Sequence, residues 1–298
     1  MTCFALAHLS DPHLPLPVPP LDALGSKRVL GALSWLRRRR AVHRPEVLAA
    51  VVADIKAQAP DHVAVTGDLC NISLPAEFRR AASWLAALGA PGDVSVVPGN
   101  HDAYVAVDRA QGLDLWRAYM AGDGGRDGFP SLRVRDGVAL IGVSTAAPMG
   151  WLSAGGLVGP QQTAATGSLL ARLGRDGLCR VLLIHHPPVP FGPRRKRLLD
   201  MAPFAQAIAR AGVELVLHGH THTASLKRLA TATGSAPVIG VPSSSARPVR
   251  HAEQAAWNLY RIARASDGWR VRVGVRGFDG AGMTELADYT LRIASTGA

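Results

Sequence analysis

Five short polar clusters, each directly behind a short apolar run, constrain the fold of this chain more than any other feature. The apolar runs are Phe4–Leu9, Val63–Thr66, Val94–Val97, Val181–Ile184 and Leu215–Leu217. The clusters behind them are Asp11-Pro12-His13, Gly67-Asp68, Gly99-Asn100-His101-Asp102, His185-His186-Pro187-Pro188 and Gly219-His220-Thr221-His222. Short apolar runs bounded by Gly, Pro or polar residues are typical of buried strands. The clusters are therefore predicted to lie just past strand carboxyl ends, at the edge where open α/β sheets bind ligands.

Amphipathic helical patterns alternate with the strands in the earlier part of the chain, whereas strands alone fill the later part. The helical patterns cover Pro45–Gln58, Pro75–Leu88, Gln161–Leu173 and Pro203–Ala211, and the late strands cover Val238–Val241, Trp257–Ile262 and Trp269–Val275. The alternation favours parallel pairing, and the late strands favour antiparallel pairing. An α/β fold with one mixed sheet, or with two packed sheets and helices outside, accommodates both parts.

A single domain is expected over residues 1–298, with a cap-like insertion at about 14–44. The chain is 48% hydrophobic, which is enough for a substantial core, and neither a composition break nor an internal repeat divides it. The insertion begins with the proline-rich stretch Leu14–Pro20, which cannot form a regular element.

The second half of this insertion, Ser26–Arg40, has the pattern of a short amphipathic helix with a cationic end. Apolar residues recur at helical spacing beside Trp35, and Arg37, Arg38, Arg39 and Arg40 follow. Such a helix can lie on an anionic membrane surface. It can equally pack on the protein as a cap, with its arginines solvated, and the short length favours this second arrangement.

A second basic cluster, Arg194-Arg195-Lys196-Arg197, follows the His185 cluster as the insertion follows the Asp11 cluster. Both basic segments are therefore expected at the ligand-binding edge, where they would form a positive rim. Arg194, Arg195 and Arg197 are candidate substrate-binding residues. The formal net charge of +11 implies attraction to anions. Nucleic acid is not favoured as a partner, because aromatic residues make up only 5% of the chain and no stacking stripe is present.

The chemistry of the five clusters points to metal ions. Their carboxylates, amide and imidazoles are oxygen and nitrogen donors, which suit zinc, manganese or iron. The donors are too many for one four-coordinate ion. A carboxylate shared between two ions uses them economically, and paired ions promote in-line attack at phosphorus.

Bulk features favour a reducing, cytoplasmic setting. Three cysteines, Cys3, Cys70 and Cys179, are odd in number and lack zinc-type spacing. No apolar stretch approaches the length of a membrane span, and the amino-terminal residues lack the basic region of a signal peptide. Peripheral attachment to the inner face of the membrane stays open, as does the oligomeric state.

Taken together, the clusters from Asp11 to His222 resemble the calcineurin-like metallophosphoesterases, in whose order they occur. The likeness is strongest to bacterial cyclic-nucleotide and glycerophosphodiester phosphodiesterases of that family. It implies two mixed β-sheets packed face to face with helices on the outer faces. It also implies a metal-dependent phosphodiesterase in which a metal-activated hydroxide attacks the phosphorus of a small phosphodiester.

The same resemblance implies a role for each residue of the motifs. Asp11, His13 and His222 would hold one metal, Asn100, His185 and His220 the other, and Asp68 would bridge them. His185 is chosen over His186 because the family's ligand precedes the proline by two. His101 would act as a general acid or would stabilise the leaving oxygen, with Asp102 fixing its ring.

Two alternatives to a small-diester phosphodiesterase stay open. The hydrophobic and basic segment suggests a pyrophosphatase of a lipid-linked nucleotide at the membrane, although relatives cleaving UDP-diacylglucosamine commonly carry Arg at the place of His101. Some relatives are non-catalytic scaffolds, but here every expected ligand is present. Outside the motifs, His8 and His218 are expected in the core or behind the ligands, His62 at the surface, and His43 and His251 in solvent.

Overall fold

The computed structural model describes residues 3–16, 26–232, 234–248 and 253–294, so residues 17–20 of the proline-rich stretch and His251 lie outside the described residues. The strands are β1 (Phe4–Leu9), β2 (His62–Val65), β3 (Val94–Val96), β4 (Ser131–Arg135), β5 (Val138–Val143), β6 (Cys179–Ile184), β7 (Leu215–His218), β8 (Ser225–Thr231), β9 (Gly234–Gly240), β10 (Ala256–Ala265), β11 (Gly268–Phe278) and β12 (Met283–Ala294). The helices are α1 (Arg28–Ser34), α2 (Arg40–Val42), α3 (Pro45–Ala57), α4 (Pro75–Leu88), α5 (Arg117–Met120), α6 (Pro160–Arg175) and α7 (Met201–Ala211). A π-helical stretch, Trp35–Arg39, joins α1 to α2, and short 3-10 turns cover Arg109–Gln111, Leu113–Trp116, Asp123–Gly125 and Arg194–Lys196.

The strands form two mixed sheets of six strands each. The first has the order β12-β11-β10-β1-β2-β3, and the second has the order β4-β5-β6-β7-β9-β8. The strands that precede the polar clusters pair in parallel, while β10, β11 and β12 pair antiparallel. The antiparallel prediction holds on only one side of the strand at Val238, which is β9. The unpredicted edge strand β8 reverses the chain, so that β9 returns antiparallel to β8 but parallel to β7.

Three apolar layers hold this four-layer αββα sandwich together. Strand β1 faces two of them, because side chains alternate across a strand. Phe4 and Leu6 are buried between the sheets, whereas Ala7 and Leu9 are buried under α3 and α4. The third layer lies between the second sheet and helices α6 and α7. A strand buried on both faces reads as a nearly continuous apolar run, which is why these strands were visible in the sequence.

The loops that follow the strands are tied to one another at a single edge. The amide of Asp11 donates to Gly67 O at 3.0 Å, and the amide of His13 donates to Asp68 O at 3.0 Å. The amide of Gly219 donates to His185 O at 3.2 Å, which joins two loops of the second sheet. The fold therefore brings the polar clusters of both sheets to one place.

Four histidines outside the motifs are all buried. His8 and His218 lie in the interior, as expected. His62 is 1% exposed and its Nε2 lies 2.8 Å from Ser95 Oγ, so the surface prediction is wrong. His43 is buried as well rather than solvated. Both were misplaced because the neighbours that cover them come from distant parts of the chain.

Candidate metal centre

The backbone at the polar clusters is held in a conformation that L-residues rarely adopt. Positive φ angles occur at Asp11 (52°), His13 (40°), Asp68 (58°), His220 (66°) and His222 (54°). Non-glycine residues in this region cost free energy and cluster at functional sites. Two glycines allow close approach: a Cβ on Gly99 would overlap Asp68 Oδ1, and one on Gly219 would overlap Ser10 Oγ. The strained residues and the glycines of these loops thus allow the candidate ligand side chains to approach one another.

Asp11, His13, Asp68 and His222 form the first cluster, with ligand atoms all within 4.8 Å of one another. His13 Nδ1 lies 3.2 Å from Cys70 O and must donate to it, since a carbonyl only accepts. His13 Nε2 therefore carries a lone pair. It lies 3.3 Å from His222 Nε2, 3.9 Å from Asp11 Oδ1 and 4.0 Å from Asp68 Oδ2.

Asn100, His185 and His220 form the second cluster, again beside Asp68. His185 Nδ1 donates to Thr66 O at 2.6 Å, which directs Nε2 to Asp68 Oδ2, 3.4 Å away. Burial lowers the pKa of His185, but the charge of Asp68 outweighs it and raises the pKa to about 9, so a bound metal would displace the proton from Nε2. His220 Nε2 donates to Lys196 O at 2.7 Å, which leaves Nδ1 as an acceptor. His185 Nε2 and His220 Nδ1 converge on Asn100 Oδ1, at 3.2 and 2.9 Å. Backbone carbonyls thus set the tautomers that a metal requires.

These two groups of acceptors fit metal cations. Asp11 Oδ1 is buried and accepts no well-aligned hydrogen bond, although His222 Nε2 lies 3.1 Å away. Burial alone would raise the carboxyl pKa of Asp11 and of Asp68, but the positive charge of the neighbouring imidazoles, when they are protonated, holds both pKa values below the usual range. Metal cations would take the place of these protons. Lone pairs that face one another around buried carboxylates leave a place for positive charge. Oxygen and nitrogen donors of this kind suit manganese, iron or zinc.

His186 is engaged elsewhere, although its ring centroid lies 4.2 Å from that of His220. Its Nδ1 accepts from Thr145 Oγ1 at 2.7 Å, and its Nε2 donates to Ala154 O at 3.2 Å. With both nitrogens in hydrogen bonds, His186 has no lone pair to offer a metal. This geometry favours His185 as the ligand of the pair.

His101 lies beside both clusters. Its Nδ1 donates to Asn71 O at 2.6 Å, and its Nε2 lies 2.9 Å from Arg39 Nη2. Burial, followed by the charge of Arg39, lowers the pKa of His101 to about 4. Tyr104 stacks on the ring, with centroids 5.7 Å apart. The imidazole is thus held neutral, with Nε2 facing the cleft described below.

Asp102 is placed differently from the expectation that it fixes the ring of His101. Its Oδ2 accepts from the amides of Asp68 and Gly99 at 2.8 and 2.9 Å, and its Oδ1 accepts from the amide of Cys70 at 2.8 Å. The carboxylate therefore holds two ligand-bearing loops together, while Asn71 O orients the His101 ring.

Two residues near the centre were missed by reasoning from the sequence. His43 Nδ1 lies 2.9 Å from Ser245 Oγ, and its ring centroid is 4.5 Å from that of His13. Arg39 was predicted only as a rim residue, yet it contacts His101. The sequence indicated these two residues only through their position, because both lie in the insertion that directly follows the first polar cluster.

A cleft of about 280 Å³ opens beside His101 and Asn100. Cationic side chains lining it are Lys27, Arg39, Arg195 and Lys196, and apolar ones include Leu30, Tyr104, Met149, Trp151 and Leu152. The basic rim is thus partly as expected.

Other members of the predicted rim lie elsewhere. Arg197 donates to Gly192 O at 2.9 and 2.7 Å, which ties it to its own loop, and Arg194 does not line the cleft. Trp35 is 5% exposed and packs with Leu16, Ile72 and Leu74, so its prediction as a rim or membrane residue is wrong. The helix turns its one large aromatic ring inward because a small core lies beneath it.

Residues 4–224 match the family model of the calcineurin-like phosphoesterases. The chain belongs to this family and is a metal-dependent phosphoesterase. Within the described ranges, no helix has the length and apolar character needed to cross a membrane.

Two similar proteins have names that state an activity. A probable cyclic nucleotide phosphodiesterase of Synechococcus is 28% identical over 229 residues, covering 76% of this chain and 80% of the relative. A cAMP/cGMP dual specificity phosphodiesterase of Mycobacterium tuberculosis is 26% identical over 297 residues, covering 92% of this chain and 74% of the relative.

Solved structures support the fold. A dimetal phosphatase from Danio rerio superposes with a TM-score of 0.63 at 14% identity, covering 98% of this chain and 99% of that protein. A purple acid phosphatase from yellow lupin has a TM-score of 0.59 at 11% identity, covering 97% of this chain and 53% of that protein. At these identities the likeness concerns the sandwich architecture.

Proposed function

We propose that this chain is a binuclear metal phosphodiesterase that hydrolyses a small anionic phosphodiester, with a cyclic nucleotide as the favoured substrate. One observation carries the proposal: two groups of metal-facing acceptors share Asp68 beside a cleft lined by cations. The names of the two similar phosphodiesterases support the choice of a diester and of a cyclic nucleotide.

The proposal assigns the ligands by position. Asp11, His13 and His222 would hold the first metal, Asn100, His185 and His220 would hold the second, and Asp68 would serve both. When bound, the ions supply a nucleophile from water and hold the phosphoryl oxygens in line. Manganese, iron and zinc all suit this donor set.

The chain's own residues perform the remaining tasks. The carbonyls of Cys70, Thr66 and Lys196 orient the ligand imidazoles. His101 presents Nε2 to the cleft and acts there on the leaving oxygen. The described residues 26–44 of the insertion act as a cap within a single domain, since Lys27, Leu30 and Arg39 line the cleft from that side.

A substrate panel with added manganese tests the proposal. The protein should hydrolyse cyclic nucleotides faster than glycerophosphodiesters, nucleotide-lipid pyrophosphates or single-stranded DNA. An Asp176→Ala variant, which removes an exposed carboxylate outside the site, serves as the control and should keep wild-type rates. Turnover of phosphomonoesters alone would refute the diesterase assignment. Faster hydrolysis of the nucleotide-lipid pyrophosphate would favour the second candidate function described below.

One observation favours a second candidate, a lipid-linked nucleotide pyrophosphatase acting at a membrane surface. Leu30, Leu33 and Leu36 leave more than two fifths of their surface exposed, at 44, 41 and 49%. Trp151 and Leu152 at the cleft are also exposed. An apolar rim around a cationic cleft suits an amphiphilic substrate.

A further inference from the structure

Arg39 differs from its neighbouring arginines in where its side chain lies. It is half-buried, whereas Arg37, Arg38 and Arg40 are exposed. Its position follows from the helix, because residues four apart share a face. Trp35 is buried beneath the helix, and Arg39 follows it by four residues at the end of the π-helical stretch. The tryptophan that fixes the segment therefore also directs Arg39 inward.

The contact between Arg39 and His101 is with a neutral acceptor. His101 Nδ1 gives its proton to Asn71 O, so the ring offers Nε2 to Arg39 Nη2, 2.9 Å away. The second guanidinium nitrogen, Nη1, lies 3.1 Å from His101 Nδ1 and finds no lone pair there. The contact therefore uses only part of the donor capacity of Arg39.

The charge of Arg39 is not matched by a carboxylate contact in the described part of the chain. Burial lowers the pKa of Arg39, and the charges of Asp68 and Asp11 raise it. Both carboxylates are proposed metal ligands, so bound cations cancel their effect. A half-buried guanidinium beside two metal ions then lacks a counter-charge, which a substrate anion can supply.

The cleft offers room for that anion. Arg39 lines it together with Asn100 and His101, and the cavity of about 280 Å³ admits a small phosphate ester. A planar guanidinium matches two phosphate oxygens with two parallel hydrogen bonds. Lys27 and Lys196 line the same cleft and add positive charge at its walls.

We propose that Arg39 binds the phosphoryl group of the substrate, and that its contact with His101 Nε2 is the resting position in the substrate-free enzyme. When phosphate enters, the guanidinium transfers its donors to two phosphoryl oxygens. The lone pair of His101 Nε2 is then free to take a proton from solvent and to pass it to the leaving oxygen. The inference rests on the proposed function, and it makes the insertion a contributor to substrate binding as well as a cap.

The test measures binding of inorganic phosphate to the manganese-loaded protein by isothermal titration calorimetry. Arg39→Gln should weaken binding about 10- to 100-fold, which corresponds to one lost charge-assisted contact. Arg39→Lys should recover only part of this, because lysine lacks the fork. Arg38→Gln removes an equal charge from an exposed neighbour and should change affinity by less than about threefold. Manganese content should be equal in all four proteins.

Three outcomes would overturn the inference. If Arg39→Gln and Arg38→Gln weaken phosphate binding equally, the effect would come from the overall positive charge of the rim and not from a direct contact of Arg39. Unchanged phosphate affinity with a lower kcat would make Arg39 a positioning residue for His101. If Arg39→Gln loses manganese, the test uses the phosphate affinity of Arg39→Lys instead. A phosphate affinity of Arg39→Lys equal to that of the wild type would contradict the two-pronged contact of the guanidinium. Arg39-dependent phosphate binding without diester turnover by the wild type would instead refute the proposed function alone.

Discussion

Asp68 connects the two halves of the candidate centre through a single carboxylate. Its Oδ2 lies 3.4 Å from His185 Nε2 and 4.0 Å from His13 Nε2, one from each cluster. Its Oδ1 accepts from the amide of His101 at 2.7 Å. One residue thus couples both metal positions to the loop that carries His101.

Replacing Asp68 should therefore affect both metals at once. Asp68→Ala is expected to abolish turnover and to lower occupancy at both positions, as measured by elemental analysis of the purified protein. Asp176→Ala, at an exposed site, should retain two ions. Full activity with one tightly bound ion, after exhaustive removal of a second, would contradict a binuclear centre.

The effect of His101 should depend on the leaving group. A general acid matters most when the departing alkoxide is a poor leaving group, and its loss typically costs roughly 10²–10⁴-fold. His101 carries its proton on Nδ1 in the free enzyme, so it must first take up a proton at Nε2 to act in this way. His101→Ala should carry that penalty on alkyl diesters and a much smaller one on nitrophenyl diesters, which depart without protonation. Steady-state rates on both esters measure the difference. An equal penalty on both would assign His101 to electrostatic stabilisation.

His62 should make stability depend on pH. Burial, followed by the charge of Arg133, lowers its pKa from 6.5 to about 3. The unfolded chain then binds the extra proton between these values, so stability falls as the pH drops below 6.5. At pH 5 this group costs about 2 kcal/mol.

The His62→Gln variant tests this dependence. Urea unfolding measures the free energy of unfolding at pH 7 and at pH 5. The decrease between the two pH values should be about 2 kcal/mol smaller for His62→Gln than for the wild type. Glutamine keeps a donor for Ser95, so stability at pH 7 should change little. Parallel curves for both proteins would show that His62 is protonated when folded.

Among the elements, those with strong local signals were predictable. Strand β1 and helix α4 have the predicted bounds, Phe4–Leu9 and Pro75–Leu88. Their signals are an apolar run buried on both faces, and Pro and Glu in a first turn. The gathering of the polar clusters at one edge was also predictable, because parallel strands end together.

Features decided by distant neighbours were not predictable. Strand β9 depends on the edge strand β8, whose half-exposed sequence gives little signal. Trp35 is buried by Ile72 and Leu74, and His62 is covered by its sheet neighbours. Arg39 contacts a residue 62 positions along the chain. Charge and spacing alone could not distinguish it from Arg38.

The start of α4 supports the candidate site from behind. Glu77 is buried, and its carboxylate accepts from the amides of Asn71, Ile72 and Leu74 at 2.6, 3.1 and 2.9 Å. Asn71 O in turn holds the His101 ring. The helix terminus thus fixes a loop on which the chemistry depends.

Removing this carboxylate should cost stability and disturb His101. Glu77→Ala leaves buried amides without acceptors, and each such group costs about 1–3 kcal/mol. A total loss of about 3 to 5 kcal/mol is expected in urea unfolding, with a lower kcat in the folded fraction. Glu77→Gln, which keeps one acceptor oxygen, should fall between. A loss below about 1 kcal/mol for Glu77→Ala would show that water replaces the carboxylate.

At the scale of the whole molecule, positive charge and exposed apolar side chains meet at one face. The formal net charge is +11, and Lys27, Arg39, Arg195 and Lys196 line the cleft. Exposed Leu33 and Leu36 lie on the same helical segment as the exposed Arg37 and Arg38. This combination attracts anions and can also rest on an anionic surface.

Substrate capture should therefore weaken as salt rises, because exposed charges are screened beyond about 8 Å at physiological ionic strength. We expect kcat/KM to fall with added salt, and to fall less after Arg37, Arg38 and Arg40 are changed to Gln with Arg39 retained. Flotation with vesicles separates the two substrate classes. Binding to anionic but not neutral vesicles, lost in the same triple variant at unchanged metal content, would support the lipid-linked substrate. Absence of vesicle binding would retire that candidate and leave the small-diester phosphodiesterase, because a cap helix needs no membrane.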